Sequence, residues 1–419
     1  MAGPIPLDLL PDSALIADDG WLAIGGVSTQ SLAAEYGTPL FIYDEAQLRA
    51  RCREAVGVFG DGVAYASKAF LCRAMARLVH EEGMWIDVAS GGELHVALTA
   101  GIPANRCVFH GNNKSLTELR TAVEVGVGRI VVDSFDEMDR LDALNARPEV
   151  LLRITPGVEA HTHEFVMTGQ DDSKFGFGWR SGAAKVAITR ARSSNSMRLV
   201  GLHMHIGSQV FVADNFAKAI EVVAPLAIEA DLPELVVGGG LGVAYVEGES
   251  AVSITDWGRA VLDVARSCGI PGRVTAEPGR AIVAQAGITI YEVGTIKALP
   301  GIRTYVSVDG GMSDNPRPVL YGSGYETFLP RATSASRPRP IRLVGKHCES
   351  GDLLVREGWV PENLAVGDLL CTPVTGAYGY SMASNYNRLL RPAVVFVADG
   401  VAREVIRRET HDDLQRLDA

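Results

Sequence analysis

The sequence predicts an α/β plus all-β protein, in which an eight-fold β/α (TIM-like) barrel precedes a C-terminal antiparallel β domain. From about residue 60 to 280, short β-branched runs alternate with stretches of helical period, which indicates a parallel sheet covered by helices. After residue 287, short β-type runs follow one another with little helical period between them, which predicts the second domain.

Eight runs of strand character are bounded by turn residues within the predicted barrel. They are Val63 to Ser67, Trp85 to Val88, Arg106 to Phe109, Arg129 to Val132, Glu149 to Ile154, Arg198 to His203, Glu234 to Val237 and Arg273 to Glu277. The first five begin 20 to 23 residues apart. An open doubly wound sheet is the alternative, and eight regular units favour closure into a barrel.

Five further runs predict the strands of the β domain, and Gly, Pro, Asn and Ser clusters separate them. They are Ile288 to Val293, Arg303 to Val308, Ile341 to Val344, Leu369 to Thr372 and Val394 to Val397.

Composition and charge exclude several classes of protein. The 419 residues include 39 Lys and Arg against 50 Asp and Glu, a net charge of −11, so a nucleic-acid partner is not expected. No apolar run reaches the roughly 18 residues that a membrane span requires. Residues 1–20 lack a basic region, and the six cysteines are scattered, so we expect a reduced, cytoplasmic protein.

Chemically active residues follow the predicted barrel strands, whose C-terminal ends converge on one mouth. They are Lys68, Asp87, His110, Arg153, the run His203 to Gln209, the glycine turn Gly238 to Gly242, and Glu277 to Arg280. Glycine turns after neighbouring strands can cradle a phosphate. A lysine and a carboxylate at the same mouth suit pyridoxal phosphate, which needs an amine for its aldehyde and an anion beside its ring nitrogen.

Three alternative readings of these residues are weaker. The run GGGLGVAY (238–245) lacks the spacing of a dinucleotide site and follows the seventh strand instead of the first. His161 and His163 have no third metal ligand at useful spacing, so no metal is expected. Lys174 is a second candidate for the cofactor lysine, but it lies on a loop.

Seven strings in order give the chain a resemblance to a known family. They are YASKAF (65–70), HMHIGSQ (203–209), GGGLGVAY (238–245), EPGR (277–280), VDGGMSDNPRPVLY (308–321), CESGD (348–352) and GAYGYSMASNYN (376–387). They resemble those of the alanine-racemase-fold, pyridoxal-phosphate-dependent amino-acid decarboxylases, above all the members that act on diaminopimelate. The resemblance implies a PLP-binding barrel over residues 39–287, a β domain over 288–419, and an N-terminal segment, 1–38, that packs on the β domain. It also implies a homodimer with shared active sites.

The resemblance assigns a role to each cofactor-binding residue. Lys68 would bond the cofactor aldehyde, Glu277 would face the ring nitrogen, and His205 would stack on the ring. The phosphate would be held by Ser208, Gly240, Gly279 and the backbone of Arg280, with Tyr378 also touching it, and Pro278 would also contact the cofactor. Asp87 and Arg153 would support the lysine and the region of the cofactor hydroxyl.

The C-terminal strings imply the substrate. Arg280, Arg317 and Tyr321 would hold a distal carboxylate, which suits the paired donors of a guanidinium. Glu349 would receive a distal ammonium, Tyr378 would touch the substrate, and Cys348 would donate the proton. In the family, Cys348 and Glu349 come from the partner subunit. A distal end with both charges fits meso-2,6-diaminopimelate, whose decarboxylation gives L-lysine and CO2 in the last step of lysine biosynthesis.

Two other functions compete with this one. A related decarboxylase of a basic amino acid or carboxylated polyamine would want a carboxylate where Arg317 stands. A catalytically silent, partner-binding homologue would have lost the lysine or the cysteine, and Lys68 and Cys348 are both present. Racemisation by the same fold would need a tyrosine base and no CESGD string.

Overall fold

The computed structural model describes residues 2–157, 172–211 and 213–419. It divides into two units, each with its own large sheet. We call residues 51–242 and 251–281 the α/β unit, and residues 1–50, 243–250 and 282–419 the β unit. The barrel predicted from the sequence covers 39–287, whereas residues 39–50 and 282–287 fall in the β unit.

Short elements at the start of the chain belong mainly to the β unit. They are β1 (Leu15–Ile16), β2 (Leu22–Ile24), β3 (Val27–Ser28), α1 (Thr29–Tyr36), β4 (Leu40–Asp44) and α2 (Glu45–Phe59). The first three strands form a small antiparallel sheet. Helix α1 begins after Ser28 because the side chain of this serine accepts a hydrogen bond from the Gln30 N–H group.

The sheet of the α/β unit contains eight parallel strands in the order of the sequence. They are β5 (Ala64–Ala66), β6 (Trp85–Val88), β7 (Cys107–Phe109), β8 (Arg129–Val132), β9 (Glu149–Thr155) with the short β10 (Phe177–Gly178) beside it, β11 (Arg198–Met204), β12 (Glu234–Val236) and β13 (Arg273–Thr275). Each of the eight strands predicted for this region is present.

Backbone hydrogen bonds also connect the first of these strands to the chain that follows the last. The Ala64 N–H group donates to Ala276 O over 3.0 Å, and the Ala66 N–H group donates to Pro278 O over 3.2 Å. Small and β-branched side chains from six strands pack together inside the sheet; they are Ala64, Val108, Val131, Leu151, Val200 and Val236. The strands therefore form a curled parallel sheet whose two edges are hydrogen-bonded.

Helices follow the strands of this unit. They are α3 (Arg73–Glu81), α4 (Gly91–Thr99), α5 (Leu116–Val125), α6 (Phe135–Leu144), α7 (Ala183–Ser193), α8 (Ala213–Ala230), α9 (Ile254–Ser267) and the single turn α10 (Arg280–Val283). Ser90, Ser115 and Ser134 cap α4, α5 and α6 by accepting backbone hydrogen bonds. These caps end each strand-to-helix loop at a defined residue, so the side chains in those loops have fixed positions.

The large sheet of the β unit has the strand order β17-β16-β15-β14-β4-β19-β20, and β18 pairs with β14. Its further elements are β14 (Gly287–Leu299), β15 (Arg303–Val308), α11 (Arg317–Tyr321), β16 (Arg339–Val344), β17 (Leu353–Val360), β18 (Leu369–Thr372), β19 (Ala393–Ala398), β20 (Val401–Ile406) and α12 (His411–Gln415). The five predicted strands are present, while β4, β17 and β20 were not predicted.

This sheet is mixed, so the prediction of an antiparallel β domain was wrong for two of its strand pairs. Strands β15 and β16 are parallel, as are β4 and β19. A parallel pair needs a long connection that returns the chain to the same end of the sheet. Residues 309–338 provide it for the first pair, and for the second the two strands lie at opposite ends of the sequence.

Among the helices that the structure describes, none has the length and hydropathy needed to cross a membrane.

Candidate active site

Lys68 and three charged or polar residues lie at or near the C-terminal ends of four strands of the α/β unit. Lys68 is in a 3-10 turn directly after β5, and its side chain is exposed. Asp87 is near the end of β6, His110 follows β7, and Arg153 is in β9. The last three are buried, so their charges depend on one another.

Glu277 lies between two histidines. Its Oε1 atom is 2.9 Å from His110 Nε2, and its Oε2 atom is 2.9 Å from His203 Nε2. All three side chains are buried. Burial raises the pKa of Glu277, but the interactions with His110 and His203, including both hydrogen bonds, outweigh it, and the pKa lies well below its usual range. The structure therefore holds an ionised, oriented carboxylate at this end of the sheet.

The two histidines differ in charge. Burial lowers the pKa of His203 to about 4, so this ring is neutral at physiological pH and donates Nε2–H to Glu277. Burial also lowers the pKa of His110, but attraction to Asp87 and Glu277 outweighs this and raises it above the usual value. Burial raises the pKa of Asp87 to about 7, although His110 Nε2, 3.6 Å away, opposes the shift.

The three groups His110, His203 and Glu277 are also a conceivable ligand set for a metal ion, since their ligand atoms lie within 4.8 Å of one another. The absence of a metal therefore stays a prediction.

His205 is a neutral ring. Burial, and then the positive charges of Lys68 and Arg153, hold the pKa of His205 well below its usual range. Its Nδ1 atom accepts a hydrogen bond from the Gly239 N–H group over 3.3 Å. A neutral imidazole oriented by the backbone can stack on an aromatic ring without bringing a charge to it.

The glycines that follow β11 and β12 allow backbones to approach where no side chain fits. Gly240 has a φ of +109°, and a Cβ atom there would lie 2.0 Å from Gly207 O. A Cβ atom on Gly239 would lie 2.2 Å from Glu277 O. Only glycine fits at Gly239 and Gly240. The loop after β12 therefore contacts Gly207 and Glu277 through backbone peptide groups.

Arg280 and Ser208 meet at the same end of the α/β unit. The Arg280 Nη2 atom donates to Ser208 Oγ over 2.8 Å. Pro278 and Gly279 are buried immediately before Arg280, and a Cβ atom on Gly279 would lie 2.9 Å from Ala66 Cβ. A guanidinium, a hydroxyl and close-packed glycine backbones are suitable donors for a phosphate group.

Arg153 faces a carboxylate that sequence reasoning did not assign. Its Nη1 atom is 3.8 Å from Asp133 Oδ2, and its guanidinium lies 4.2 Å from the centre of the Phe175 ring. Asp133 also accepts a hydrogen bond from the Gly176 N–H group. These contacts orient Arg153 from two sides.

In the β unit, Arg317 is buried among tyrosines. It is 4% exposed, its Nη1 atom lies 2.5 Å from Tyr325 Oη, and its guanidinium is 4.3 Å from the centre of the Tyr245 ring. Burial lowers the pKa of Arg317, but Tyr245, Tyr325 and Tyr378 raise it above its usual value. Among the residues described, no carboxylate pairs with Arg317, and its Nε atom is buried without a hydrogen bond. The Arg317 guanidinium is therefore a candidate binding group for an anion.

The remaining predicted substrate residues lie on this unit as well. Tyr321 ends helix α11, four residues after Arg317 and on the same face. Tyr378 has a φ of +59° and is half-buried. Cys348 and Glu349 are exposed, on the loop between β16 and β17.

Sequence reasoning missed several residues of these clusters. His110 and His203 were noted at strand ends but not assigned to the site, although the strand-end rule that selected Lys68 applied to His110 too. Tyr245 and Tyr325 gave no signal, because an aromatic residue in a loop has no distinctive spacing. His161 and His163 lie outside the described residues.

Comparison with known proteins identifies the class of enzyme to which the chain belongs. Residues 45–284, more than half of the chain, match the family model described as "Pyridoxal-dependent decarboxylase, pyridoxal binding domain". The chain therefore belongs to the pyridoxal-dependent decarboxylases, enzymes whose cofactor is pyridoxal phosphate.

Individual relatives show to which family of pyridoxal-dependent decarboxylases the chain belongs. Diaminopimelate decarboxylases from Mycobacterium tuberculosis and Bacillus subtilis are 49% and 46% identical to the chain, and each alignment covers 95% of both proteins. A crystal structure of diaminopimelate decarboxylase from M. jannaschii with L-lysine superposes with a TM-score of 0.89 at 30% identity, over 97% of this chain and 98% of that one. The chain is a member of the diaminopimelate decarboxylase family.

The residues present fit the cofactor of this family. An exposed lysine, an ionised carboxylate held by two histidines, and close-packed glycine turns beside Arg280 and Ser208 lie at one end of the strands. They match the three needs of pyridoxal phosphate: an amine, an anion for the ring nitrogen and donors for the phosphate.

Proposed function

We propose that the protein decarboxylates meso-2,6-diaminopimelate to L-lysine and CO2, the last step of lysine biosynthesis. The observation that carries this proposal is the buried guanidinium of Arg317, which pairs with no carboxylate of the described residues, in a chain 49% identical to a diaminopimelate decarboxylase. A substrate carboxylate would supply the missing counter-charge. The relatives compared above are diaminopimelate decarboxylases, which agrees with this substrate.

The cofactor-binding residues have separate tasks in this proposal. Lys68 would bond the cofactor aldehyde, and the ionised Glu277 would keep the ring nitrogen protonated. His205 stacks on the ring, while Asp87 and Arg153 support the lysine and the cofactor hydroxyl. Ser208, Gly240, Gly279, the backbone of Arg280 and Tyr378 would hold the phosphate, and Pro278 would also contact the cofactor. The group held by these residues would supply a ring that can take up the electron pair left when CO2 departs.

The substrate-binding residues bind both charged groups at the distal end of the substrate. Arg317 binds the distal carboxylate together with Arg280 and Tyr321, and Glu349 accepts the distal ammonium. Tyr378 contacts the substrate, and Cys348 donates a proton to the carbon that has lost CO2. Because Glu349 and Cys348 are exposed, they are accessible to a second copy of the chain.

The fold and assembly follow the same proposal. We expect the curled sheet to be a closed eight-fold β/α barrel over residues 39–287, with the N-terminal segment 1–38 packing on a β domain of residues 288–419. We further expect a cytoplasmic homodimer in which Cys348 and Glu349 of one copy act on the substrate bound at Lys68 of the other.

One assay tests the activity. The purified protein with pyridoxal phosphate should release CO2 from meso-diaminopimelate, with L-lysine as the other product, and should act poorly on ornithine, arginine and lysine. Preferred turnover of ornithine, arginine or a carboxylated polyamine would favour the basic-amino-acid alternative. No turnover of any of these by protein that retains the cofactor would favour a silent homologue.

Mixing of variants tests the shared site. Lys68→Ala and Cys348→Ala subunits are each inactive, but mixed dimers contain one intact site. Complete exchange should restore about a quarter of wild-type activity, since half the dimers are mixed and each has one good site. A lack of recovery after demonstrated exchange would show that the cysteine does not act across the dimer.

A further inference from the structure

The loop that carries Cys348 is tied down at its base by Asp352. The Oδ2 atom of Asp352 accepts a hydrogen bond from the His347 N–H group over 2.9 Å, and its Oδ1 atom accepts one from the Met312 N–H group over 2.6 Å. The Glu349 N–H group donates to His347 O over 2.8 Å. These bonds close the loop, but they act on the neighbours of Cys348 and not on its own peptide.

The peptide of Cys348 is held from a distant part of the sequence. Asn387 Oδ1 accepts a hydrogen bond from the Cys348 N–H group over 3.2 Å and also lies 3.2 Å from His347 Nδ1. A peptide N–H group can only donate, so the oxygen of the Asn387 amide must face it. His347 Nδ1 then donates to the same oxygen, and His347 Nε2 lies 2.8 Å from Ser313 Oγ.

The backbone of Asn387 is suited to this task. Its φ is +52°, in the left-handed region that asparagine tolerates better than most residues. The ring of His347 stacks on the neighbouring Tyr386, with centroids 5.3 Å apart. The segment that carries Asn387 therefore packs against the loop, and this brings the Asn387 amide within hydrogen-bond distance of the Cys348 N–H group.

We propose that Asn387 is a positioning residue for Cys348. By accepting the hydrogen bond from the Cys348 N–H group, Asn387 holds the Cys348 backbone and so sets the direction in which its exposed thiol points. The proposal rests on the proposed role of Cys348 as proton donor. Proton transfer requires hydrogen-bond distance, and a displacement of about 1 Å typically costs about 100-fold in rate.

Two substitutions at Asn387 separate the effect of its side-chain acceptor from the effect of its backbone conformation. Asn387→Gly keeps the left-handed conformation and removes the acceptor, whereas Asn387→Asp keeps an acceptor at the same place. Asn385→Ala is the matched control, because the Asn385 amide lies in the same segment and donates to Leu389 O and Glu409 Oε2 instead.

The holoenzyme variants are compared by kcat and KM for meso-diaminopimelate and by the rate at which iodoacetamide alkylates Cys348, read from peptide masses. Asn387→Gly should lower kcat about 10- to 100-fold with KM changed less than about threefold, and should change the alkylation rate several-fold. Asn387→Asp should recover most of both properties, and Asn385→Ala should match wild type in both.

The proposal is overturned if Asn387→Gly matches wild type, if Asn387→Asp is as impaired as Asn387→Gly, or if Asn385→Ala is equally impaired. Cys348→Ala distinguishes this failure from that of the proposed proton donor. Full activity in Cys348→Ala would remove the role of the cysteine and the role of Asn387 with it. A loss in Cys348→Ala together with normal kcat in Asn387→Gly would overturn the role of Asn387 alone.

Discussion

The two clusters of charged side chains differ in how the protein balances them. In the α/β unit, the buried Glu277 receives hydrogen bonds from His110 and His203. In the β unit, the buried Arg317 contacts Tyr245 and Tyr325, and no carboxylate in the described part of the chain pairs with it. The Glu277 carboxylate therefore has partners within the protein, whereas the Arg317 guanidinium has no counter-charge among the described residues.

This difference separates a permanent occupant from a transient one. A buried charge without a counter-charge costs free energy in the empty protein, and an incoming ion of opposite sign recovers that cost. Glu277 therefore suits a cofactor that stays bound, since its orientation does not depend on the ligand. Arg317 suits an anionic substrate that arrives and leaves in each turnover.

The largest expected effect concerns the amine of the α/β unit. Lys68→Ala should fold, because the side chain is exposed, but should lose at least about three orders of magnitude in rate since covalent catalysis is removed. Borohydride should bleach the visible absorbance of the wild-type holoenzyme and label the peptide that contains Lys68. Lys174→Ala, an exposed lysine of the same unit, is the control; a label on Lys174 would contradict the assignment.

Arg317→Ala tests the unbalanced charge of the β unit. Losing a charge-assisted pair in a desolvated pocket costs about 2 to 5 kcal/mol, or roughly 30-fold to several-thousand-fold in kcat/KM for meso-diaminopimelate. The kcat/KM for lysine should stay nearly unchanged, because lysine has no distal carboxylate. Arg303→Ala, an exposed arginine near the Tyr305 ring, should change neither. Equal losses on both substrates would show that Arg317 supports the fold or the cofactor.

His203→Ala tests the balanced charge. The variant removes one of the two hydrogen bonds to the Glu277 carboxylate, and a bond to a charged group contributes about 1.5 to 3 kcal/mol. The dissociation constant for pyridoxal phosphate, measured by absorbance after dialysis, should rise about 10- to 100-fold. His95→Ala, an exposed histidine on α4, serves as control. Unchanged affinity in His203→Ala would show that His110 alone suffices to hold Glu277.

A smaller effect is expected from the pH dependence of stability in the β unit. Asp314 is buried and accepts hydrogen bonds from the Tyr291 hydroxyl and the Gly311 N–H group. Burial raises the pKa of Asp314 from 3.8 to about 7. Between these values the folded state holds a proton that the unfolded chain has released, so the stabilisation is complete below pH 3.8 and is lost as the pH rises through about 7.

The melting temperature of Asp314→Asn relative to wild type should therefore increase by a few degrees from pH 4 to pH 8. Asp399→Asn, in an exposed turn, should show no such trend. A constant difference between wild type and Asp314→Asn would mean that Asp314 titrates alike in both states.

The strands of the α/β unit were predictable because each is a short apolar run between turn residues, and the strand-end rule then selected Lys68 and Glu277. The strand β4 was missed, although all five of its residues are buried. It lies far in sequence from β14 and β19, its partners, and precedes the helix α2. Nothing in its local sequence distinguishes β4 from a strand of the α/β unit.

The sequence by itself determined what depends on adjacent residues: the periodicity of the strands, the serine caps and the glycine turns. It also contained the ordered strings that place the chain in its family. The tertiary structure alone decided which charges meet. His110 and Glu277 are 167 residues apart in the sequence, and β4 (Leu40–Asp44) pairs with the distant β19 (Ala393–Ala398). Burial and pKa are set by neighbours in space, so only the folded chain shows that Glu277 is ionised and that the buried Arg317 has no carboxylate beside it among the described residues.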